Sequence, residues 1–409
     1  MHKKGLLKMQ EILVNVDKQM NKTIVVVENG KLIEKYHENN GAERLEGNIY
    51  IGKVQNVLLG MQAAFVDIGK EKNTFIHIRD VMPKASNETG NKNESLNKYN
   101  IKDYIKREMP ILVQVKKDST SKKGARVSTH MNISGRYIVL MPNSEFITAS
   151  KKLEDAKEKN RLLNIVKPIV PKGYGVIIRT SAEGKSEEEI KNDLNKLIKK
   201  WQKILERYNN IKEQKTFMPQ IIYKNQGIIE KLILDLVDKE LTRIITNDET
   251  TYIEIEKVIK NMQLNSDIKL DLKKGETLLD IYDLETQLEK AENRKVWLKC
   301  GGFITIDKTE ALTAIDVNSG KYIGTKDLEK TIFTVNKEAT IEIAKQIRLR
   351  DIGGIIIIDY IDMENKDDKE KILKELEDNL KKDRSKTQVI GFTPLDLLEM
   401  TRKHMWSND

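Results

Sequence analysis

The sequence predicts a multidomain α/β protein that carries a small β-barrel of the OB type. Three observations predict it. The chain has 409 residues, too many for one ordinary hydrophobic core. Short β-rich segments crowd the stretch from Asn48 to Thr129. Beyond Ser186, helical and strand patterns alternate.

Taken in order, patterned sequence begins near Met9, a second candidate start. Residues 11–16 and 23–27 read as strands, and Asn29-Gly30 before Lys31-Leu32-Ile33 is a hairpin turn signal. Segments 48–57, 63–68, 74–78, 111–115 and 125–129 read as the strands of the barrel. Residues 83–98, rich in Asn, Ser, Lys and Gly, read as a loop interrupting it. A helix over 186–212 is marked by a Ser186/Glu189 capping box. Its apolar stripe is Ile190, Leu194, Leu197, Trp201, Ile204, Leu205 and Tyr208, and its Lys and Glu side is a solvated face. A second helix is expected over 228–241. A third is expected over 327–350, stopped by Gly353-Gly354. Between them, 303–307 and 311–317 form a hairpin, and Ile355 to Asp359 reads as a strand buried on both faces. Residues 366–382 form a charged amphipathic helix.

Hydrophobic residues make up 39% and charged residues 33% of the chain, which suits a folded globular protein. The formal charge of +9 suits a polyanionic partner, although a Lys-rich proteome produces the same excess. A single cysteine, Cys300, rules out a disulfide framework or a cysteine zinc cluster within the chain and fits the cytoplasm. No apolar run is long enough to span a bilayer, and the start lacks a signal-peptide core. The five histidines form no motif, which argues against a metal-free, histidine-based acid–base mechanism.

Three constellations carry chemistry. Asp316 and Asp359 each end an apolar strand run, where ligands bind in α/β folds. Two such carboxylates can share a magnesium ion, which keeps several waters. Asn318, two residues after Asp316, falls on the same strand face. The bland alternative is that such aspartates cap loops. In the barrel, period-two alternation turns Phe65 and Phe75 outward, with Lys116, Lys117, Lys122, Lys123 and Arg126 nearby. Such a face can stack bases and track a nucleic-acid backbone, or it can pack on another domain. Finally, the segment Gly173 to Thr180 delivers Arg179 and Thr180 to one spot, suited to a terminal phosphate or simply to a strand end.

The local wording then points to a family. Thr309-Glu310-Ala311-Leu312-Thr313-Ala314-Ile315-Asp316-Val317-Asn318-Ser319-Gly320 and Arg348-Leu349-Arg350-Asp351-Ile352-Gly353-Gly354, continuing to Asp359 and Met363, resemble the two catalytic segments of the ribonuclease E/G family. The resemblance runs from about Met9 to about Met405. It implies a magnesium-dependent endoribonuclease that cuts single-stranded RNA, with Asp316 and Asp359 as metal ligands and Asn318 supporting the cut. Asp362 is the rival ligand. It also makes Phe65, Phe75 and Lys123 RNA contacts of an S1-type domain. Arg179, Thr180, Gly135 and Val139 become a sensor for a 5′-monophosphate. The implied layout is an RNase H-like domain (9–45 and 219–290) interrupted by the S1-type barrel (46–129) and the sensor (130–218). A DNase I-like catalytic domain (291–409) follows.

Two departures qualify the resemblance. Lys151-Lys152 stands where the family usually has Arg, which keeps the charge but loses the bidentate fork. The Cys-Pro-x-Cys zinc link is absent, so zinc is not expected and a homo-oligomer built around it is open to question. The substrates implied are ribosomal RNA precursors and messenger RNA, AU-rich and 5′-monophosphorylated, cut in the cytoplasm. The alternative is a non-catalytic RNA-binding protein that keeps the fold.

Overall fold

The computed structural model describes residues 9–41, 44–81, 99–119, 123–214, 216–237, 241–262, 264, 268–320 and 328–406. The loop expected at 83–98 lies outside them. The chain is mixed α/β and divides into two units, Glu43–Gly227 and Met1–Ala42 with Ile228–Asp409.

The chain enters through β1 (Gln10–Val16), β2 (Lys22–Glu28) and β3 (Lys31–Glu38). Asn29 and Gly30 both take left-handed backbone (φ 50° and 77°), the conformation a two-residue hairpin between twisted strands requires. The barrel follows as β4 (Ile49–Leu58), β5 (Ala63–Asp67), β6 (Thr74–His77), β7 (Pro110–Lys117) and β8 (Arg126–Ser128). The long β4 pairs with both β5 and β7, while β8 bridges β6 and β7, so the five strands close. Val54, Ala64, Val66, Ile76, Val113 and Val127 fill the interior.

A four-stranded sheet comes next: β9 (Ile133–Ser134), β10 (Ile138–Pro142), β11 (Ile147–Ala149), then α1 (Ala156–Ile169) and β12 (Tyr174–Ile178). The helix α2 (Glu187–Lys212) begins at the Ser186/Glu189 capping box and buries Ile190, Leu194, Leu197, Trp201 and Ile204. Strand β13 (Gln220–Tyr223) returns to pair with β4.

In the other unit, α3 (Ile228–Leu236), β14 (Leu241–Thr246), α4 (Glu249–Met262), β15 (Lys269–Leu272) and α5 (Leu284–Glu292) complete the first sheet, in the order β15-β14-β1-β2-β3. The helix expected to reach Leu241 ends at Leu236, and Leu241 instead opens β14. The cause is a central position. β14 pairs in parallel with β1 and β15, and Ile244 and Ile245 enter cores on opposite faces. An apolar run of that kind carries no helical period.

The last sheet contains β16 (Lys295–Trp297), β17 (Phe303–Lys308), β18 (Leu312–Asn318), β19 (Gly354–Asp359), β20 (Thr387–Phe392) and β21 (Leu397–Arg402), in the order β16-β17-β18-β19-β21-β20. Helix α6 (Leu328–Leu349) connects the parallel pair β18–β19, and α7 (Lys366–Leu380) precedes β20. Both helices pack on one face, against Ile304, Ile315, Ile356, Ile358 and Leu398. The expectation that β19 is buried on both faces is corrected: Ile356 and Ile358 are buried, but Ile355 is 50% exposed. Among the described residues the two helices cover one face only, and Ile355 of the β-branched run faces outward.

Helix α6 also stops before the expected glycines. Asp351 takes left-handed backbone (φ 46°), and Gly353 is needed for space, since a Cβ there would sit 2.6 Å from the His404 ring. The buried Asp351 carboxylate accepts from Arg402 (2.7 Å) and from the backbone N–H groups of Met405 and Trp406. Arg402 also donates to buried Asp383 at 2.6 Å. Nearby, Glu34 of β3 accepts from Tyr36, Arg348 and Arg384. Among the described residues no helix is long and apolar enough to cross a membrane.

Candidate functional site

The open face of the last sheet is defined by strand parity. Ile304, Ile315, Val317 and Ile358 point into the core, so their neighbours Thr305, Asp316, Asn318 and Asp359 point the other way. Asp316 and Asp359 are direct partners across the parallel β18–β19 pair. Asn318 shares the face, and its Nδ2 donates to Asp316 Oδ2 at 2.6 Å. The strand β18 runs on to Asn318, so Asp316 lies on the sheet surface and not past the strand end.

Partial burial, then the charges of Asp316 and Asp362, push the Asp359 carboxyl above its ordinary range. Exposed Asp362, in the segment after β19, therefore belongs to the same field. Among the described residues no group of three or more His, Cys, Asp or Glu is gathered tightly enough to enclose a metal ion. Two adjacent carboxylates still fit a hard cation that keeps much of its water. Arg294, not singled out from sequence, grips Asp307 with a two-pronged fork (2.5 and 2.6 Å) and feels the Asp316 charge. Nothing in the sequence around Arg294 signals this, because only the β16–β17 register brings it near.

On the barrel, Phe65 and Phe75 are register partners, their rings edge to face at 6.1 Å. Both are half-buried and lie outside the barrel core. Lys123 is exposed just ahead of β8, and the Phe75 N–H donates to Ala125 O at 2.8 Å, which brings that entry beside β6. The surrounding charge is thinner than expected. Lys116 donates to Gln114 at 2.6 Å and Arg126 is forked onto Asp80, while Lys117 is exposed. Lys122 lies outside the described residues. Burial, followed by the Arg79 charge, lowers the pKa of partly exposed His77.

At the end of the four-stranded sheet, Arg179 Nη1 donates to the carbonyl of Gly135 at 2.8 Å and that of Arg136 at 3.3 Å. Val139 pairs with Ile177, and Thr180 opens a short 3₁₀ turn. Gly135, Val139, Arg179 and Thr180 are thus brought to one sheet end. The parallel match Ala149↔Ile178 carries exposed Lys151-Lys152 to the same end. The residue that organises this corner is Asp193 of α2. Its carboxylate accepts from the N–H groups of Arg136, Tyr137 and Ile138 at 3.2, 2.8 and 3.1 Å. A Cβ at Gly135 would come within 2.6 Å of it. Burial raises the Asp193 pKa against those donors and Arg179. The polar side of α2 reads as solvated, so helical spacing alone does not reveal Asp193.

The chain as a whole is similar to known proteins. The model of the ribonuclease E/G family matches residues 132–405. Ribonuclease G of Salmonella typhimurium is 39% identical over 398 residues, covering 96% of this chain and 79% of that protein. Ribonuclease G of Escherichia coli gives the same figures. Ribonuclease E of Nostoc sp. is 33% identical over 401 residues, 95% of this chain and 56% of that protein.

Proposed function

Because the chain belongs to the ribonuclease E/G family and is an endoribonuclease acting in RNA processing and decay, we propose that it cuts single-stranded, AU-rich RNA at Asp316, Asn318 and Asp359 with magnesium, favouring 5′-monophosphorylated ends. The observation that carries this reading is the in-register pair of carboxylates on an open sheet face, with Asn318 bound to one of them. Burial and the neighbouring charges of Asp316 and Asp362 raise the Asp359 pKa, and a divalent cation relieves such crowding of like charge. Magnesium, when bound, neutralises charge on the phosphodiester and lowers the pKa of the attacking water. Asn318 holds the Asp316 carboxylate in one orientation. Attack by water in place of the 2′-hydroxyl leaves 5′-phosphate and 3′-hydroxyl ends. Incubating the protein with 5′-monophosphorylated, AU-rich RNA, with and without magnesium, tests the reading. RNA that is bound but left intact in both would make this chain a non-catalytic RNA-binding protein.

The layout we infer is the RNase H-like sheet from both flanks of the insertion, the S1-type barrel, the sensor sheet and a DNase I-like catalytic domain. The first sheet, assembled from chain on either side of the barrel, supports this division. We place the enzyme in the cytoplasm, acting on ribosomal RNA precursors and messenger RNA.

Phe65 and Phe75 are the proposed stacking surface of the barrel, with Lys123 beside them. Phe65→Ala and Phe75→Ala are each expected to weaken RNA binding across many sequences, by roughly 1–3 kcal/mol. Filter binding with several unstructured RNAs measures it. Unchanged binding together with a much lower melting temperature would make the rings structural.

At the sensor, Arg179→Ala is expected to slow cleavage of 5′-monophosphorylated RNA and to spare 5′-hydroxyl RNA. A terminal phosphate offers more charge and a further oxygen to Arg179 and Thr180 than an internal one does. The gain lost should shrink at high salt. The ratio of cleavage rates on the two RNAs, in wild type and variant, is the readout. An equal drop on both would assign Arg179 to holding the Gly135–Arg136 carbonyls only.

A further inference from the structure

The open face of the catalytic sheet carries an aromatic platform that the reading above does not use. Register partners Trp297 of β16 and Phe303 of β17 lie on the same side as Asn318, because Phe303 is opposite Asn318. Their neighbours Lys295, Thr305, Asp316 and Asp359 form the adjacent row across four strands. Val296, between Lys295 and Trp297, turns into the core. This parity fixes both Lys295 and Trp297 on the outward face.

The platform is built, not incidental. Trp297 and Phe303 meet edge to face with ring centres 5.3 Å apart. The Lys295 ammonium lies 4.1 Å from the Trp297 ring centre and 3.5 Å from that of Phe303, so cation–π attraction holds the charge against both rings. Yet Trp297 remains 58% exposed. An indole this exposed leaves apolar area in water unless something covers it. Two strand spacings separate the Lys295 position from Asp316, about 10 Å. A strand of RNA whose phosphate reaches the carboxylates therefore carries its next bases over this ring, and Lys295 sets a positive charge where its backbone passes.

We propose that Trp297, braced by Lys295 and Phe303, is a stacking site for an unpaired nucleobase flanking the scissile phosphate. It gives the catalytic sheet its own preference for single-stranded RNA, apart from the barrel. A paired base presents its edge, not its face, and gains nothing there. The inference rests on the proposed cleavage site at Asp316 and Asp359 only for the position of the base relative to the cut.

The test measures the dissociation constant of a labelled, unstructured oligoribonucleotide by fluorescence anisotropy in EDTA, for wild type, Trp297→Ala and Trp297→Phe. Trp297→Ala should weaken binding about 5- to 100-fold, and Trp297→Phe should recover most of the loss because it keeps a ring face. Intrinsic tryptophan emission should be quenched by the oligonucleotide in wild type, with the Trp297 share of that quenching gone in Trp297→Phe. The same RNA annealed to its complement should bind all three proteins alike. The proposal is overturned if Trp297→Ala binds as wild type does, or if Trp297→Phe is as weak as Trp297→Ala. Parallel cleavage assays with magnesium separate the two readings. A wild type that never cuts, but whose binding depends on the ring, would sink the cleavage site and leave the stacking site. A wild type that cuts and binds independently of the ring would sink the stacking site alone.

Discussion

Asp316→Asn and Asp359→Asn are each expected to abolish cleavage while leaving RNA binding nearly intact. Either change removes a negative oxygen from the pair that would hold the cation, and with it the charge that stabilises the phosphodiester transition state. The loss should be several kcal/mol, about a thousandfold or more in rate. Folding should not suffer. Asp359 sits in the repulsive field of Asp316 and Asp362, so removing one of these charges relieves strain instead of creating it. The melting temperature of Asp359→Asn should match or exceed that of wild type, which distinguishes a lost ligand from a damaged fold. Asp362→Asn, altering an exposed group beyond the strand, should have a milder effect. Chelating divalent metal should reproduce the aspartate variants in the wild-type protein. Normal cutting by either variant in magnesium would end the metal assignment.

The second large effect concerns stability. Arg402 is buried between Asp383 and Asp351, donating to them at 2.6 and 2.7 Å. Burying an ion group is costly, and one missing partner leaves the others uncompensated. Arg402→Met strands two buried carboxylates at once. It should destabilise the Ile228–Asp409 region by about 3–5 kcal/mol. Asp351 also anchors the backbone of Met405 and Trp406, whose side chains pack on the first sheet, so the loss should loosen that seam too. Arg402→Lys keeps the charge without the fork and should fall between. Urea unfolding followed by circular dichroism measures all three proteins. A midpoint for Arg402→Met close to wild type would show that the carboxylates find other partners.

What the sequence reveals here follows the range of the forces involved. The Asn29-Gly30 hairpin, the barrel strands and the α2 capping box are each specified within a few residues, and all are legible. The shared face of Asp316 and Asn318 is legible for the same reason, as a two-residue repeat. That Asp316 stands directly beside Asp359 depends on register between strands separated by helix α6, and no local pattern encodes it. The unbroken run Ile355 to Ile358 cannot reveal which layers cover it, so its exposed half is not foreseeable. Leu241 reads as the end of a helix because a short apolar run suits a helix or a central strand equally. Charge is the least legible quantity. Lys116 and Arg126 count as free cations in the sequence, but Gln114 and Asp80 engage them. Asp193 looks like one more acidic residue on a wet helix until three backbone N–H groups are found pointing at it.

The parallel pairing of β1 with β14 has a consequence for the order of events during synthesis. Val16 donates its N–H to Asn247, 231 residues later in the chain. At roughly 5–20 residues per second, a ribosome needs about 10–50 s to supply that partner. The whole of Glu43–Gly227 emerges in the interval, with its own cores, and can fold before β14 exists. Meanwhile the β1–β3 meander waits with one long apolar edge unpaired. That is the interval in which a nascent chain is most open to wrong partners and most dependent on being shielded. Long-range closure of this kind is slow by topology. Substitutions that speed or slow β14 docking should therefore change the yield of folded protein more than its final stability.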